Sequence, residues 1–101
     1  MAKYSIGIDF GSLSGRALLV NLETGEEVAV AVSKYRHAVM EEYLPGGVKL
    51  PIDYALQNPQ DYLDVLREAI PAVLKQANVQ GRDVVGVGID FTSCTVLPVD
   101  K

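Results

Sequence analysis

The sequence has little of what several classes of protein require. Its 101 residues include one cysteine and no tryptophan. The single cysteine, Cys94, excludes an internal disulfide and is typical of a protein in a reducing cytoplasm. Neither of the two best-known phosphate-binding patterns, G-x-x-x-x-G-K-[ST] and G-x-G-x-x-G, occurs anywhere in the chain. If the protein binds a nucleotide, it must therefore do so through another kind of loop.

Positive charge and long apolar runs are scarce as well. Nine Lys and Arg residues stand against 13 Asp and Glu residues, which gives a net charge of −4. This balance, without a basic run, argues against nucleic acid or an anionic membrane surface as a partner. The apolar runs are far shorter than a bilayer span, and the N-terminus does not resemble a signal peptide. We therefore expect a cytoplasmic protein.

What the chain does have is a distinctive stretch near its start, Tyr4 to Asn21. Ile6, Ile8 and Phe10 occur at every second position, which predicts a half-buried strand. A turn rich in glycine and serine follows, at 11–15, and an apolar strand follows the turn. Asp9 lies just before the turn and Arg16 just after it. Backbone N–H groups and hydroxyls in such a turn suit phosphate oxygens, and the carboxylate beside them suits a hard cation such as Mg²⁺.

A plainer alternative is a β-hairpin whose polar turn is merely solvated. In that case Asp9 and Arg16 would have no ligand. The acid directly before the turn and the arginine directly after it favour the phosphate site.

The rest of the chain predicts two more strands, a long loop and one helix. Besides the second strand of the first stretch, at about 16–22, strands are predicted at about 27–35 and 84–91, the last one buried, and a helix from Asn58-Pro59 to about residue 78. Pro71 should kink the helix. The segment 37–57 has no sustained period, and loops of this length are often functional. Its single histidine, His37, is interpreted as a surface or packing residue, since no second histidine or cysteine lies near it to complete a metal site.

These elements predict an α/β fold with β-β-β-α-β order and a mixed sheet. The crossover helix makes the last strand parallel to the first and places the two side by side. The Asp9 turn and the loop at 92–95 would then leave the same edge of the sheet, where ligands of open α/β sheets collect. One face of the sheet should be underfilled, so the chain looks like the first part of a larger protein. Such a face also favours pairing of copies, and a homo-oligomer is one expectation.

Three stretches carry a resemblance to a known family. IGIDFGSLSGRALLV resembles the first phosphate motif of the actin-like (ribonuclease H-like) ATPase fold, and the arginine after the turn narrows the resemblance to the FGGY carbohydrate kinases. YRHAVMEEYLPGGVKLPIDYALQNPQDYLDVL and GVGIDFTSCTVLPVD look closer still to the bacterial L-ribulokinases. The resemblance implies that residues 1–101 form the N-terminal part of the first kinase domain, with the remainder of that domain and a second domain absent from this chain.

The resemblance also implies roles for individual residues. Asp9 would hold Mg²⁺, while the ATP phosphates would face Gly11, Ser12, Ser14 and Arg16. Leu13 stands where some relatives carry a hydroxyl residue, so one phosphate contact is missing. The sugar pocket would be lined by Asp90, Thr92, Ser93 and Cys94. Ser93 and Cys94 occupy the positions of an Arg-Glu pair in glycerol kinases, and their small size implies room for a five-carbon ketose. Cys94 is otherwise interpreted as a small buried apolar residue without thiol chemistry.

As a function, the resemblance implies an ATP-dependent kinase that phosphorylates L-ribulose to L-ribulose 5-phosphate in L-arabinose catabolism. The general base and the adenosine pocket would lie beyond Lys101, so the isolated chain should be inactive. Two alternatives stay open. One is another FGGY kinase, such as a xylulokinase. The other is a non-catalytic actin-like module that binds nucleotide without a sugar.

Overall fold

The fold is a small sheet with one helix packed against it. The structure is a computed structural model that describes residues 2–91 and 99–100. In chain order its elements are β1 (Tyr4–Phe10), β2 (Ser14–Asn21), β3 (Glu27–Lys34), α1 (Pro59–Ala77), a 3₁₀ turn (Gly81–Asp83) and β4 (Val84–Phe91). In chain order the main elements run β-β-β-α-β. The second strand begins two residues earlier than predicted, so that Ser14 belongs to β2.

The sheet is mixed, as predicted. Its four strands lie in the order β3-β2-β1-β4. β1 pairs antiparallel with β2 and parallel with β4. The carboxyl ends of β1 and β4 therefore lie side by side. That this sheet forms part of an actin-like ATPase fold stays a prediction.

One face of the sheet and one side of α1 form the core. Because side chains alternate along a strand, Ile6 and Ile8 of β1 and Leu19 of β2 share a face and are buried. From α1, a line of residues spaced four apart meets this face, with Val65 and Val73 fully buried. The remaining buried apolar residues are Ala17, Ala29, Tyr35 and Ala69. Leu63 of the same helix is exposed.

Gly15 lets α1 approach the sheet closely. A Cβ atom at this position would lie 2.5 Å from Cγ1 and 2.7 Å from Cγ2 of Val65. Those distances are far inside van der Waals contact. Packing of α1 against the sheet therefore requires a glycine at position 15, whether or not the turn binds phosphate.

The ends of α1 follow the predicted capping residues. Oδ1 of Asn58 accepts a hydrogen bond of 2.9 Å from the backbone N–H of Gln60, and Pro59 occupies the first turn. At the other end Asn78 adopts the left-handed conformation, with φ of 55°. The helix continues through Pro71 as a single element. Within the described residues, no helix combines the length and apolar character that crossing a bilayer requires.

The prediction that the last strand is buried is wrong. From Val85 to Phe91 every residue of β4 is exposed. α1 packs over β2 and β3 and leaves β4 at the edge of the sheet. An apolar strand is buried only where another element covers it, and within residues 2–91 none does. On the sheet face opposite α1, Val28, Val30 and Val32 of β3 are likewise exposed, which agrees with the predicted underfilled face.

The segment 37–57 is held by short local contacts. Isolated bridges join Met40 to Leu56 and Tyr43 to Lys49. Gly46 and Gly47 turn the chain with φ of 94° and 90°, values that suit glycine. The segment contains no helix and, apart from these isolated bridges, no strand, as its lack of a hydrophobic period predicted.

Candidate functional site

A row of charged residues crosses three strands on the sheet face opposite α1. Asp9 of β1 is the cross-strand partner of Arg16 on β2 and of Asp90 on β4. Paired residues project from the same face of a sheet, so the order across the face is Arg16, Asp9, Asp90. All three side chains are exposed. Among the described residues, no ion pair within 4.0 Å engages any of them. Their charges are therefore accessible to a ligand.

This row lies in an open groove of about 570 Å³. Two glycines in register with each other, Gly7 and Gly88, form part of its floor. A Cβ atom at either position would meet no atom within 4 Å. The glycines are therefore not required by packing, and they leave room for a ligand to approach the backbone. The groove is lined by Gly7, Ile8, Asp9, Arg16, Leu18, Glu27, Val30, Gly88, Ile89 and Asp90.

The turn after β1 has all four of its carbonyls engaged. The O–H of Tyr35 donates to the carbonyl of Gly11 at 2.6 Å. Nε2 of Gln57 donates to the carbonyl of Ser12 at 2.9 Å. The N–H of Tyr35 donates to the carbonyl of Leu13, and the N–H of Gly11 to that of Ser14, both at 2.9 Å. Each carbonyl of the turn thus faces a protein donor.

In contrast to these carbonyls, two N–H groups of the same turn have no hydrogen-bond partner among the described residues. The N–H groups of Ser12 and Leu13 donate to no acceptor in the part of the chain that the structure describes, and both residues are exposed. Adjacent N–H groups without a protein acceptor form a concave site for an anion. This geometry fits the predicted phosphate turn. The sequence predicted backbone N–H donors in this turn and singled out Ser12, but did not single out the N–H of Leu13.

The predicted roles of Gly11 and Ser14 as phosphate contacts stay predictions. The N–H of Gly11 is used within the turn, by the carbonyl of Ser14. A Cβ atom at Gly11 would lie 3.2 Å from that same carbonyl oxygen, which is tighter than usual. Gly11 therefore has a structural reason to be glycine whether or not a phosphate binds.

The residues of this face suit a hard cation that is held only in part by protein. Asp9 and Asp90 offer carboxylate oxygens, the ligands that Mg²⁺ prefers. No cluster of three or more His, Cys, Asp or Glu residues that could hold a metal occurs among the described residues. A magnesium site built mainly by protein is therefore not present there. One or two carboxylates beside phosphate oxygens is, however, the usual arrangement for Mg²⁺ bound with a nucleotide.

The predicted sugar-pocket residues can be followed only in part. Asp90 lies in the groove, next to Asp9. Thr92, Ser93 and Cys94 lie outside the described residues. Since Phe10 and Phe91 are partners in parallel strands, the chain leaves β4 beside the phosphate turn, as the topology predicted.

An aromatic cluster that the sequence did not identify lies behind the turn. The ring of Tyr62 contacts Phe10 and Tyr35 edge to face, with centroids 5.3 and 5.5 Å apart. Burial, followed by the negative charges of Tyr62, Asp61 and Asp9, raises the pKa of Tyr35 to about 12. Burial, with Asp61 nearby, raises the pKa of Tyr62 as well. Both phenols therefore stay protonated and can donate hydrogen bonds at neutral pH.

Comparisons with known proteins show which family this chain belongs to. A family description, "FGGY family of carbohydrate kinases, N-terminal domain", matches residues 4–101. A protein named ribulokinase from Halalkalibacterium halodurans is 51% identical over 98% of this chain. Ribulokinases from Shouchella clausii and Geobacillus thermodenitrificans are 53% and 58% identical over 100% and 97% of it. The chain spans only 17–18% of the length of these relatives. The match over nearly the whole chain shows that it belongs to the FGGY family of carbohydrate kinases.

Proposed function

We propose that the full-length protein is an ATP-dependent sugar kinase that transfers the γ-phosphoryl group of ATP to the terminal 5-hydroxyl of L-ribulose. The relatives named above are ribulokinases, and they match this chain at 51–58% identity. Residues 1–101 would supply the first phosphate motif and part of the sugar pocket. Because the chain is a small part of each relative's length, the activity belongs to the full-length protein.

The observation that carries the proposal is the position of Asp9. It is the penultimate residue of β1, just before a turn with two available N–H groups, and its neighbour on β4 is Asp90. A carboxylate for a cation and the end of a parallel strand for a second ligand thus lie in one groove, and the turn with N–H donors for phosphate oxygens follows directly in sequence. Phosphoryl transfer depends mainly on such positioning and on charge stabilisation.

Each residue of this face would have a separate task. The N–H groups of Ser12 and Leu13 hold phosphate oxygens, with the hydroxyls of Ser12 and Ser14 beside them. Arg16 stabilises negative charge from the β2 side of the groove. Asp9 holds Mg²⁺, which when bound neutralises charge on the phosphates. The sugar lies toward β4, near Asp90 and the segment that contains Thr92, Ser93 and Cys94.

Proton removal from the sugar hydroxyl requires a general base positioned within hydrogen-bond reach. Asp9, Glu27 and Asp90 are the carboxylates that line the groove, and we assign Asp9 to the cation and Asp90 to the sugar. As the resemblance to the FGGY kinases implies, we propose that the base comes from the rest of the full-length protein. Closure of the two domains of the full-length protein around the groove would exclude water during phosphoryl transfer.

The proposal is tested by measuring ADP release by the full-length protein with MgATP and a panel of sugars. The panel contains L-ribulose, D-ribulose, D-xylulose and glycerol. The highest kcat/KM on L-ribulose is the expected result. A preference for D-xylulose would point to a xylulokinase, while ATP hydrolysis that no sugar changes would point to a non-catalytic actin-like module.

A further inference from the structure

We infer that Gln57, together with Tyr35, is a positioning residue that orients the N–H groups of the phosphate turn. This inference rests on the proposed function and deepens it. Neither side chain belongs to the groove. Both act from behind the turn, through its carbonyls.

The inference follows from the planarity of the peptide bond. In a trans peptide, the carbonyl of one residue and the N–H of the next lie in one plane and point in opposite directions. The chain has no cis peptide among the described residues. The hydrogen bond from Tyr35 to the carbonyl of Gly11 therefore fixes the N–H of Ser12. The hydrogen bond from Gln57 to the carbonyl of Ser12 fixes the N–H of Leu13 in the same way.

These are the two N–H groups of the turn that have no protein acceptor in the described part of the chain. Without the bond from Gln57, the peptide between Ser12 and Leu13 could rotate, and its N–H would point toward phosphate for only part of the time. Donors that are already oriented bind charge without the cost of reordering on binding. The turn would thus lose affinity for phosphate without losing any atom that contacts it.

Gln57 is itself held in the required orientation. Its Oε1 accepts a hydrogen bond from the O–H of Tyr62, so that Nε2 is the group that faces Ser12. Tyr62 lies in the first turns of α1 and packs against Tyr35. Asn58, the next residue after Gln57, caps the same helix. The donor is therefore anchored on a rigid element, as a positioning residue requires.

The test compares Gln57→Met with Gln60→Met in the full-length protein. Methionine removes the donor at similar length and adds no charge. Gln60 is a matched control, because its side chain is exposed and, among the described residues, donates only to Asp64. A non-hydrolysable ATP analogue and AMP are titrated by calorimetry with Mg²⁺, and KM is measured for MgATP and for the sugar.

We expect Gln57→Met to weaken binding of the ATP analogue, and to raise KM for MgATP, by roughly three- to tenfold, the effect of one lost hydrogen bond. Affinity for AMP, which lacks the β- and γ-phosphates, and KM for the sugar should not change. Gln60→Met should resemble the wild type. Tyr35→Phe removes the hydrogen bond to the carbonyl of Gly11. It should likewise weaken binding of the ATP analogue but not of AMP, and it provides a second variant if Gln57→Met does not fold.

Unchanged affinity for the ATP analogue in both folded variants would overturn the inference. Equal weakening of the ATP analogue, AMP and sugar would also overturn it, since that pattern indicates a general structural role. A wild-type protein that binds the analogue but phosphorylates no sugar would refute the proposed function alone, because the binding comparison would still be decisive. A wild type that binds no nucleotide would refute both.

Discussion

Asp61 accepts two hydrogen bonds from His37, across 24 residues of sequence. Its Oδ2 lies 3.1 Å from the backbone N of His37, and its Oδ1 lies 2.7 Å from the ring Nδ1. The Asp61 side chain is 1% exposed. One residue further along α1, Tyr62 holds Gln57. The first turns of α1 therefore hold both ends of the segment 37–57.

Replacing Asp61 by alanine should destabilise the protein. The change leaves the N–H of His37 without its acceptor, and we expect a loss of about 2–3 kcal/mol in the free energy of unfolding. Asp64→Ala is the control, since this carboxylate lies on the same helix but, in the part of the chain that the structure describes, accepts a side-chain hydrogen bond only from Gln60. Its effect should stay within about 0.5 kcal/mol. Urea denaturation measures both, and similar losses in the two variants would contradict the role given to Asp61.

A second prediction contrasts two glycines. Gly15→Ala places a methyl group 2.5 Å from Cγ1 of Val65, a residue that is fully buried and cannot move away. We expect a loss of about 1–3 kcal/mol of stability from overpacking. The double variant Gly15→Ala/Val65→Ala should be more stable than the sum of the two single losses predicts, because the smaller residue relieves the clash. If urea denaturation shows that the two single losses in the free energy of unfolding simply add in the double variant, packing against Val65 does not require a glycine at position 15.

In contrast to Gly15→Ala, Gly88→Ala should leave stability unchanged and should affect ligand binding. A Cβ atom at Gly88 meets no atom within 4 Å, so the fold should tolerate it. The methyl group would instead narrow the floor of the groove, and KM for MgATP or for the sugar should rise while stability is retained. Kinetics together with urea denaturation separate the two effects. Wild-type kinetics in a stable Gly88→Ala protein would mean that no ligand approaches the sheet there.

The third prediction concerns alkaline pH. Burial, with the nearby negative charges, raises the pKa of Tyr35 from 10.0 to about 12. Below pH 10 the phenol is protonated in both the folded and the unfolded protein. Between pH 10 and 12 it ionises only in the unfolded protein, so this group's contribution to stability is lost as pH rises through that window. The pKa of Tyr35 is measured by titrating the ultraviolet absorbance of wild type and of Tyr35→Phe and taking the difference between the two curves. A value near 10 would contradict the burial of the Tyr35 phenol.

Much of the fold could be predicted because it depends on neighbouring residues. Alternation along β1 predicted its bounds and its buried face, and Asn58 with Pro59 predicted where α1 begins. The parallel pairing of β4 followed from the crossover helix. The burial of β4 did not follow, because an apolar strand needs a covering element, and within residues 2–91 none lies over it.

The site was predicted less completely, because its supports are distant in sequence. Asp9, Arg16 and Asp90 were predicted, and the sheet places them in one row. Gln57 lies 45 residues from Ser12, in a segment without a period, so no local pattern could connect the two. An acidic residue in the first turn of a helix is favourable in itself, so Asp61 gives no local indication of a distant partner. Its partner, His37, is fixed by the path of the segment 37–57, which local sequence does not determine.

The proposal that Asp9 and its turn bind the phosphates of ATP as a magnesium complex is tested most directly with Asp9→Asn in the full-length protein. ADP release with L-ribulose is measured across a range of MgATP and Mg²⁺ concentrations, with Asp64→Asn as a control of equal charge change. We expect kcat/KM for MgATP to fall on the order of 100-fold in Asp9→Asn, as for the loss of one preorganised electrostatic contact, and excess Mg²⁺ to restore part of it. Wild-type turnover and an unchanged dependence on Mg²⁺ in Asp9→Asn would contradict the proposal.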